Sequence, residues 1–244
     1  MSDFNNKTVI VTGATRGIGK AIATAYLEAG ATVIGTYHSN KTAADAMLSE
    51  FSGKNLSLYP FDIADYEAVE SFYKTIEEQD VKIDILVNNG GIRRDSVLAM
   101  MKSEDWHQVI NTNLNGAYHM SKFAVHNMMR QRFGRIVNLT SPMSREAFAG
   151  QSNYAASKGG LESMTRSLAK EVASRGITVN CVSPGFIETE LIQDLDEATV
   201  KSYKKMVPMR RFGKPEEVAD AVLYLSQDKS AYITGTILEI SGGL

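Results

Sequence analysis

The sequence predicts an α/β fold: a single doubly wound domain over residues 1–244, with about seven parallel strands flanked by helices. Three observations carry this. Short runs rich in Val, Ile and Leu alternate along the chain with segments whose apolar residues recur at helical spacing. The apolar runs are continuous rather than alternating, as in strands buried on both faces of a parallel sheet. No internal repeat, low-complexity tract or proline-rich linker divides the chain. At 244 residues, with 43% hydrophobic and 22% charged, it can bury a large core without a metal or disulfide.

In chain order, the first strand is Thr8–Thr12, followed by a glycine-rich turn and a helix striped by Ile18, Ile22, Ala25 and Leu27. Gly30 stops that helix before a second strand at Thr32–Thr36. A third strand follows at Leu56–Tyr59, then a helix capped by Asp65 and striped by Val69, Phe72, Tyr73 and Ile76. The fourth strand spans Ile83–Val87, and Ser103 reads as the N-cap of the next helix. Arg135–Leu139 is the fifth strand, and a long helical stretch opens near Asn153 and stops at Gly176. Thr178–Val182 and Ile237–Ile240 complete the set. Short connections between alternating strands and helices imply right-handed crossovers.

Charge and composition exclude several function classes. Lys and Arg number 26 against 28 Asp and Glu, a net charge of −2, which argues against nucleic acid as the partner. The lone Cys181 cannot form an internal disulfide; it reads as packing in an apolar strand and suits a reducing, cytoplasmic setting. No run of 18 apolar residues is present, and the opening MSDFNNKTVI does not read as a signal peptide, so no membrane partner is expected. His38, His107, His119 and His126 lack metal-ligand spacing, so no metal site is expected.

Gly13, Gly17 and Gly19, with Thr15, Arg16 and Ile18 between them, form G-x-x-x-G-x-G directly after the first strand. Glycines here let the backbone turn tightly and approach a pyrophosphate at a helix N-terminus; the plainer reading is a strand-to-helix turn alone. Strand before and helix after favour a dinucleotide. An NAD site places an acid at the end of the second strand for the ribose 2′-hydroxyl. Here that strand ends in Tyr37-His38-Ser39-Asn40 with no acid, and Arg16 supplies a cation, so NADPH/NADP is the expected cofactor. In Asn153-Tyr154-Ala155-Ala156-Ser157-Lys158, tyrosine and lysine four apart share one helix face, about 40° apart. An ammonium beside a phenol would favour phenolate and lower the tyrosine pKa; the alternative is a surface Tyr–Lys pair.

Beyond these local readings, the chain resembles the short-chain dehydrogenase/reductase family, a Rossmann fold, from Thr12 to Gly243. The resemblance rests on T-G-x-x-x-G-x-G, Asn88-Asn89-Gly90-Gly91, Asn113, Ser141, Y-x-x-x-K and Pro184-Gly185, in order. It implies a catalytic set of Asn113, Ser141, Tyr154 and Lys158. Tyr154 would protonate the substrate carbonyl oxygen, which Ser141 holds; Lys158 would lower the tyrosine pKa and bind nicotinamide ribose. The backbone carbonyl of Asn113 would hold a water linking Lys158 to solvent. Asp62 and Ile63 would flank the adenine, Asn89, Gly90 and Gly91 would line the cofactor, Ser39 would join its phosphate end, and Pro184, Gly185, Ile187 and Thr189 would hold the carboxamide.

Similarity is greatest to the β-ketoacyl-(acyl carrier protein) reductases of this family. That implies NADPH-dependent reduction of a 3-oxoacyl thioester on an acyl carrier protein, in fatty-acid or polyketide-type synthesis. It further implies a homotetramer built on the long helices and last strand, and carrier contacts at Arg132 and Arg175. Alternatives are a ketoreductase of acyl-CoA, free ketones or sugars, and a non-catalytic NADP-binding regulator. Gly90 departs from the family, which has alanine there. Two tracts without acids, Lys122–Arg135 and Lys201–Lys214, could steer an acidic carrier.

Overall fold

The computed structural model describes residues 4–190 and 196–244. Seven strands form one parallel sheet: β1 (Thr8–Thr12), β2 (Thr32–Tyr37), β3 (Leu56–Pro60), β4 (Ile85–Asn88), β5 (Gly134–Leu139), β6 (Ile177–Pro184) and β7 (Ile237–Ile240). Their order across the sheet is β3-β2-β1-β4-β5-β6-β7. Register is continuous, with Thr12 opposite Thr36 and Val11 opposite Val87, and Val137 opposite both Val87 and Asn180. Strand order reverses between β1 and β4, so a crevice opens beyond their carboxyl ends.

Both faces of the sheet are covered. Helices α1 (Gly17–Glu28), α2 (Lys41–Glu50), α3 (Tyr66–Glu78), α4 (Ser103–Ile110), α5 (Gly116–Gln131), α6 (Ser152–Val172), α7 (Glu197–Met206) and α8 (Pro215–Ser226) lie between the strands. On one face, Val9, Val11, Val33 and Val182 pack with Ile22 and Tyr26 of α1 and Val218 and Val222 of α8. On the other, Ile10, Ile34, Leu86, Ile136 and Val179 pack with Phe72 of α3, Met120 and Met128 of α5 and Val172 of α6. Adjacent residues of β1 thus serve opposite cores, which is why the run has no polar alternation. Burying each such side chain contributes about 1.5–3 kcal/mol.

The expected strands are all present; β1 and β7 keep their ends and the others move by one or two residues. The fourth begins at Ile85, and the two residues before it make side-chain contacts of their own. Asn127 Oδ1 accepts from the Ile83 amide at 3.1 Å, and Asp84 Oδ2 accepts from the Thr8 amide at 2.9 Å. Asp65 caps α3, accepting from the amides of Glu67 and Ala68 at 3.0 and 3.1 Å. Ser103 does not cap α4. It is the first helical residue, preceded by Lys102, and its hydroxyl meets His107 Nδ1 one turn on at 3.2 Å. Gly30 and Gly176 stop their helices with φ of 89° and 73°. Among the described residues no helix is long and apolar enough to cross a membrane.

Candidate active site

The loops after β1 and β4 meet at the crevice. Thr12, the last residue of β1, accepts through Oγ1 from the amides of Asn89 and Gly90 at 3.0 and 2.9 Å. Asn89 returns the contact, its Nδ2 donating to the carbonyls of Thr12 and Gly13 at 3.0 and 3.2 Å. Asn89 therefore braces the glycine turn. Gly13 and Gly17 have positive φ, 65° and 50°. A Cβ on Gly19 would lie 2.0 Å from the Gly13 carbonyl oxygen, so only glycine lets α1 start so close to β1. No side chain caps α1, and its first turn carries no acid. A helix N-terminus with free amides and a glycine floor suits a pyrophosphate.

The other cofactor positions gather around this turn. The Thr189 methyl carbon lies 3.5 Å from where a Gly17 Cβ would be, bringing the loop after β6 against the glycine turn. The Ala14 amide donates to the Thr36 carbonyl at 3.0 Å, tying the turn to the end of β2, and Arg16 two residues on is exposed. His38, Ser39 and Asn40 are exposed after β2. The Asp62 carboxylate, after β3, is held by the Ala64 amide at 2.9 Å and lies 3.9 Å from His38 Nε2. Gly90 has a local reason: a Cβ there would meet the Ile63 terminal methyl at 2.8 Å. Ile63 fills the space an alanine would use.

The catalytic candidates converge beyond β5. Ser141 leads a short turn after that strand and is buried, its Oγ accepting from the Met143 amide at 3.3 Å. Tyr154, in the first turn of α6, is half-buried and close enough to Ser141 for that hydroxyl to lower its pKa. Lys158 lies one turn further, buried, its Nζ 5.7 Å from the Tyr154 ring and donating to the Leu139 carbonyl at 2.7 Å. A Cβ on Gly91 would sit 3.6 Å from that Nζ and 3.2 Å from Asn113 Oδ1, so the four positions share one pocket. Asn113 lies in a π-helical turn, Asn111–Asn115, between α4 and α5. Its Oδ1 accepts from the Ile92 amide at 2.8 Å, and its Nδ2 donates to the Ile92 carbonyl at 3.0 Å. Such π turns concentrate at functional sites.

The electrostatics differ from the simple tyrosine–lysine argument. Burial pushes the Tyr154 pKa up; the Ser141 hydrogen bond and the Arg93 charge pull it down, and Asp95 raises it. Burial also lowers the Lys158 pKa to about 8. In the free chain desolvation therefore dominates both groups, and Tyr154 is held as the protonated phenol. Cys181 is buried, its thiol 3.2 Å from Thr165 Oγ1, and burial pushes its pKa to about 11.

Two sets of residues escape sequence reasoning. Asn88 Nδ2 donates to Asn138 Oδ1 at 2.8 Å, and Asn138 Nδ2 to Thr165 Oγ1 at 2.8 Å, a buried polar chain joining β4, β5 and α6. Polar residues inside apolar runs could have signalled it. The second set is Arg93 and Asp95, in a loop without periodicity.

Arg132 and Arg175 are brought together but not to the crevice. Both are exposed, Arg132 Nη2 donates to the Ser174 carbonyl at 3.3 Å, and a Cβ on Gly176 would lie 2.6 Å from the Arg132 carbonyl. They stand before β5 and β6, a strand length of about 20 Å from Ser141. Arg135 of the same tract is buried, donating to the carbonyls of Gly134 and Gly176 at 2.9 and 3.2 Å. In the second tract Arg211 pairs with Glu217 at 2.7 and 2.6 Å. Lys201, Lys204, Lys205 and Arg210 line a cleft of about 410 Å³.

Glycine turn, switch-point crevice and Ser-Tyr-Lys pocket together define an oxidoreductase that binds a nicotinamide dinucleotide. The chain belongs to the short-chain dehydrogenase/reductase family. Residues 13–244 match the family model described as Enoyl-(Acyl carrier protein) reductase. The 3-oxoacyl-[acyl-carrier-protein] reductase of Vibrio harveyi is 46% identical over 242 residues, covering 99% of this chain and 98% of its own. Its Escherichia coli counterpart is 43% identical over 242 residues, covering 99% and 98%. A crystal structure of a provisionally assigned gluconate dehydrogenase from Agrobacterium tumefaciens superposes with a TM-score of 0.95. It is 32% identical and covers 99% of this chain and 96% of that one.

Gly19 and Gly90 differ in what surrounds them. Gly19→Ala drives a methyl into backbone, and cofactor affinity should fall at least about tenfold in a fluorescence titration. Gly90→Ala meets side chains rather than backbone, the flexible tip of Ile63 at 2.8 Å and Thr12 Oγ1 at 3.3 Å, and its affinity should stay within about threefold of native.

Proposed function

We propose that this chain, as a single domain spanning residues 1–244, catalyses NADPH-dependent reduction of a 3-oxoacyl thioester carried on an acyl carrier protein. The observation that carries the reading is the half-buried, protonated Tyr154 standing beside the Ser141 hydroxyl, which acts on its phenol. Two hydroxyls converging on one point form a cradle for a carbonyl oxygen, and the tyrosine starts in the state a proton donor needs. When bound, NADPH supplies the hydride to C3. Ser141 holds the C3 oxygen, and Tyr154 Oη delivers its proton there, giving the 3-hydroxyacyl product. Lys158 lies on the side of the pocket facing Gly91 and Asn113, placed to bind ribose hydroxyls and to return a proton to Tyr154.

The family model's description names enoyl reduction, whereas the curated relatives are 3-oxoacyl reductases. The site favours the ketone, because both hydroxyls address an oxygen, while saturating an enoyl group requires a proton on carbon. Arg16 and the acid-free end of β2 support NADPH over NADH. The exposed Arg132 and Arg175 support carrier docking by charge, and the same reading expects a homotetramer and cytoplasmic residence.

A substrate panel tests the reaction. Acetoacetyl thioester should be reduced with NADPH, crotonyl thioester and gluconate should not react, and Tyr154→Phe should lose about 100-fold or more in kcat while binding NADPH normally. Near-normal turnover by Tyr154→Phe would remove the tyrosine from the chemistry.

Cofactor choice is read from the ratio of kcat/KM for NADPH and NADH. NADPH should be preferred, and Arg16→Ala should reduce the preference by about tenfold through loss of a charge-assisted phosphate contact.

For the carrier, Arg132→Glu with Arg175→Glu should raise KM for a carrier-linked substrate about threefold or more and leave a small thioester unaffected. Equal losses on both substrates would place the damage in folding or assembly.

A further inference from the structure

The loop that follows β4 is fastened at four successive points. Ile92 is gripped through both backbone groups by Asn113. The Arg94 carbonyl accepts from Asn153 Nδ2 at 2.9 Å, Asp95 Oδ2 from Gln151 Nε2 at 3.0 Å, and the Gly150 carbonyl from the Ser96 amide at 2.8 Å. Asn153 and Gln151 are themselves buried at the start of α6, the helix that carries Tyr154. A surface loop held this tightly to the catalytic helix delivers its remaining side chain, Arg93, to a fixed place. That place is above the tyrosine: the Arg93 guanidinium carbon lies 5.9 Å from the centre of the Tyr154 ring. Asp95 fixes the guanidinium in turn, with Nε donating to Oδ1 at 3.4 Å and a second, shorter bond from Nη2 to Oδ2.

We propose that Arg93, clamped by Asp95, which Gln151 holds in turn, is a positioning residue that lays a fixed positive charge over the Tyr154 ring and so stabilises the phenolate formed when Tyr154 gives up its proton. The inference rests on the reading of Tyr154 as proton donor. A cation over the face of an aromatic ring is attracted to it, and the attraction grows as the ring takes on negative charge. The interaction therefore strengthens along the proton transfer, which is the condition for accelerating it. Burial works against the Arg93 charge, and the hydrogen bond and charge of Asp95 outweigh it, so the guanidinium remains protonated throughout.

The groups facing Tyr154 are few among the described residues. From α6 it is Lys158; from the loop after β4, Arg93 and Asp95; from the turn after β5, the Ser141 hydroxyl. From α7, Tyr203 lies in the field of Arg93. Of these, Arg93 lowers the tyrosine pKa and Asp95 raises it. The two neighbours in sequence thus act with opposite sign on one phenol.

That opposition gives the test, made on the full chain with a small 3-oxoacyl thioester. Reduction requires protonated Tyr154, so kcat/KM falls on the alkaline side as the phenol ionises. Arg93→Met should move this alkaline limb to higher pH and lower the plateau kcat by about threefold to tenfold. Asp95→Asn should move the limb to lower pH, and Arg93→Lys should keep it near native. Added salt should narrow the gap between native and Arg93→Met, because the guanidinium is partly exposed. Ultraviolet titration of Tyr154, as native minus Tyr154→Phe in each background, reads the same shifts without turnover. A native protein that reduces no thioester would overturn the proposed reaction while leaving that titration readable. Limbs and titrations that stay unmoved, or that move in one direction for both Arg93→Met and Asp95→Asn, would overturn the role of Arg93.

Discussion

The buried ammonium of Lys158 is the constraint around which the site is arranged. Its Nζ donates to the Leu139 carbonyl at 2.7 Å, and burial brings its pKa down to about 8. An ammonium taken out of water must be compensated by partners or shed its proton. The compensation here comes from the last residue of β5, which binds the start of α6 to the carboxyl end of the sheet. Tyr154, one turn earlier on α6, is thereby set beside Ser141, two residues beyond Leu139. On its other side the same ammonium faces Gly91, where a Cβ would sit 3.6 Å from it and 3.2 Å from Asn113 Oδ1. One buried charge thus fixes strand end, helix start and loop against each other.

Behind that charge the polar chain of Asn88, Asn138 and Thr165 links β4, β5 and α6. Its members sit in strand and helix interiors where an apolar residue would pack as well. Leaving a member unpaired costs about 1–3 kcal/mol, and within the chain Asn88 Oδ1 alone lacks a partner. Asn88 Nδ2 also donates to Ser121 Oγ at 2.9 Å, which extends the network to α5. Geometry at the catalytic end therefore depends on a register set by hydrogen bonds, which are directional, as well as on apolar packing, which is not.

Much of this was legible in the residues. The strands declared themselves because each is buried on both faces, and Val9, Ile10 and Val11 have no solvent side to mark. Asp65 was readable as a cap because its side chain competes for amides wherever a helix begins; Ser103 misled because its hydroxyl turns to His107 instead. Gly13, Gly17 and Gly19 were readable because the first two take positive φ and the third has no room for a Cβ. Gly90 showed as a departure, but its cause, the Ile63 methyl, is a contact across 27 positions of sequence that no local pattern contains. Arg93 and Asp95 were silent for a similar reason: their meaning lies in the height of a guanidinium above a ring on another element. Arg132 and Arg175 were readable as cations, while their place at the amino ends of β5 and β6 depends on topology.

The same distinction explains why the tyrosine–lysine spacing predicted the wrong sign for the free chain. Spacing reports only that two groups share a helix face, and from that Coulomb attraction alone would favour phenolate. Attraction between charges in a pocket competes with the desolvation of each, and desolvation acts on every buried ionisable group regardless of its neighbours. Here it is the largest influence on both Tyr154 and Lys158, pushing the phenol toward its protonated form and the ammonium toward neutrality. The charges left free to act on the phenol are then those whose own solvation is less impaired. Arg93 and Asp95, at the partly exposed mouth of the pocket, are such charges. A site that holds its acid protonated by burial and adjusts it from the rim separates two tasks that a single buried ion pair would have to combine.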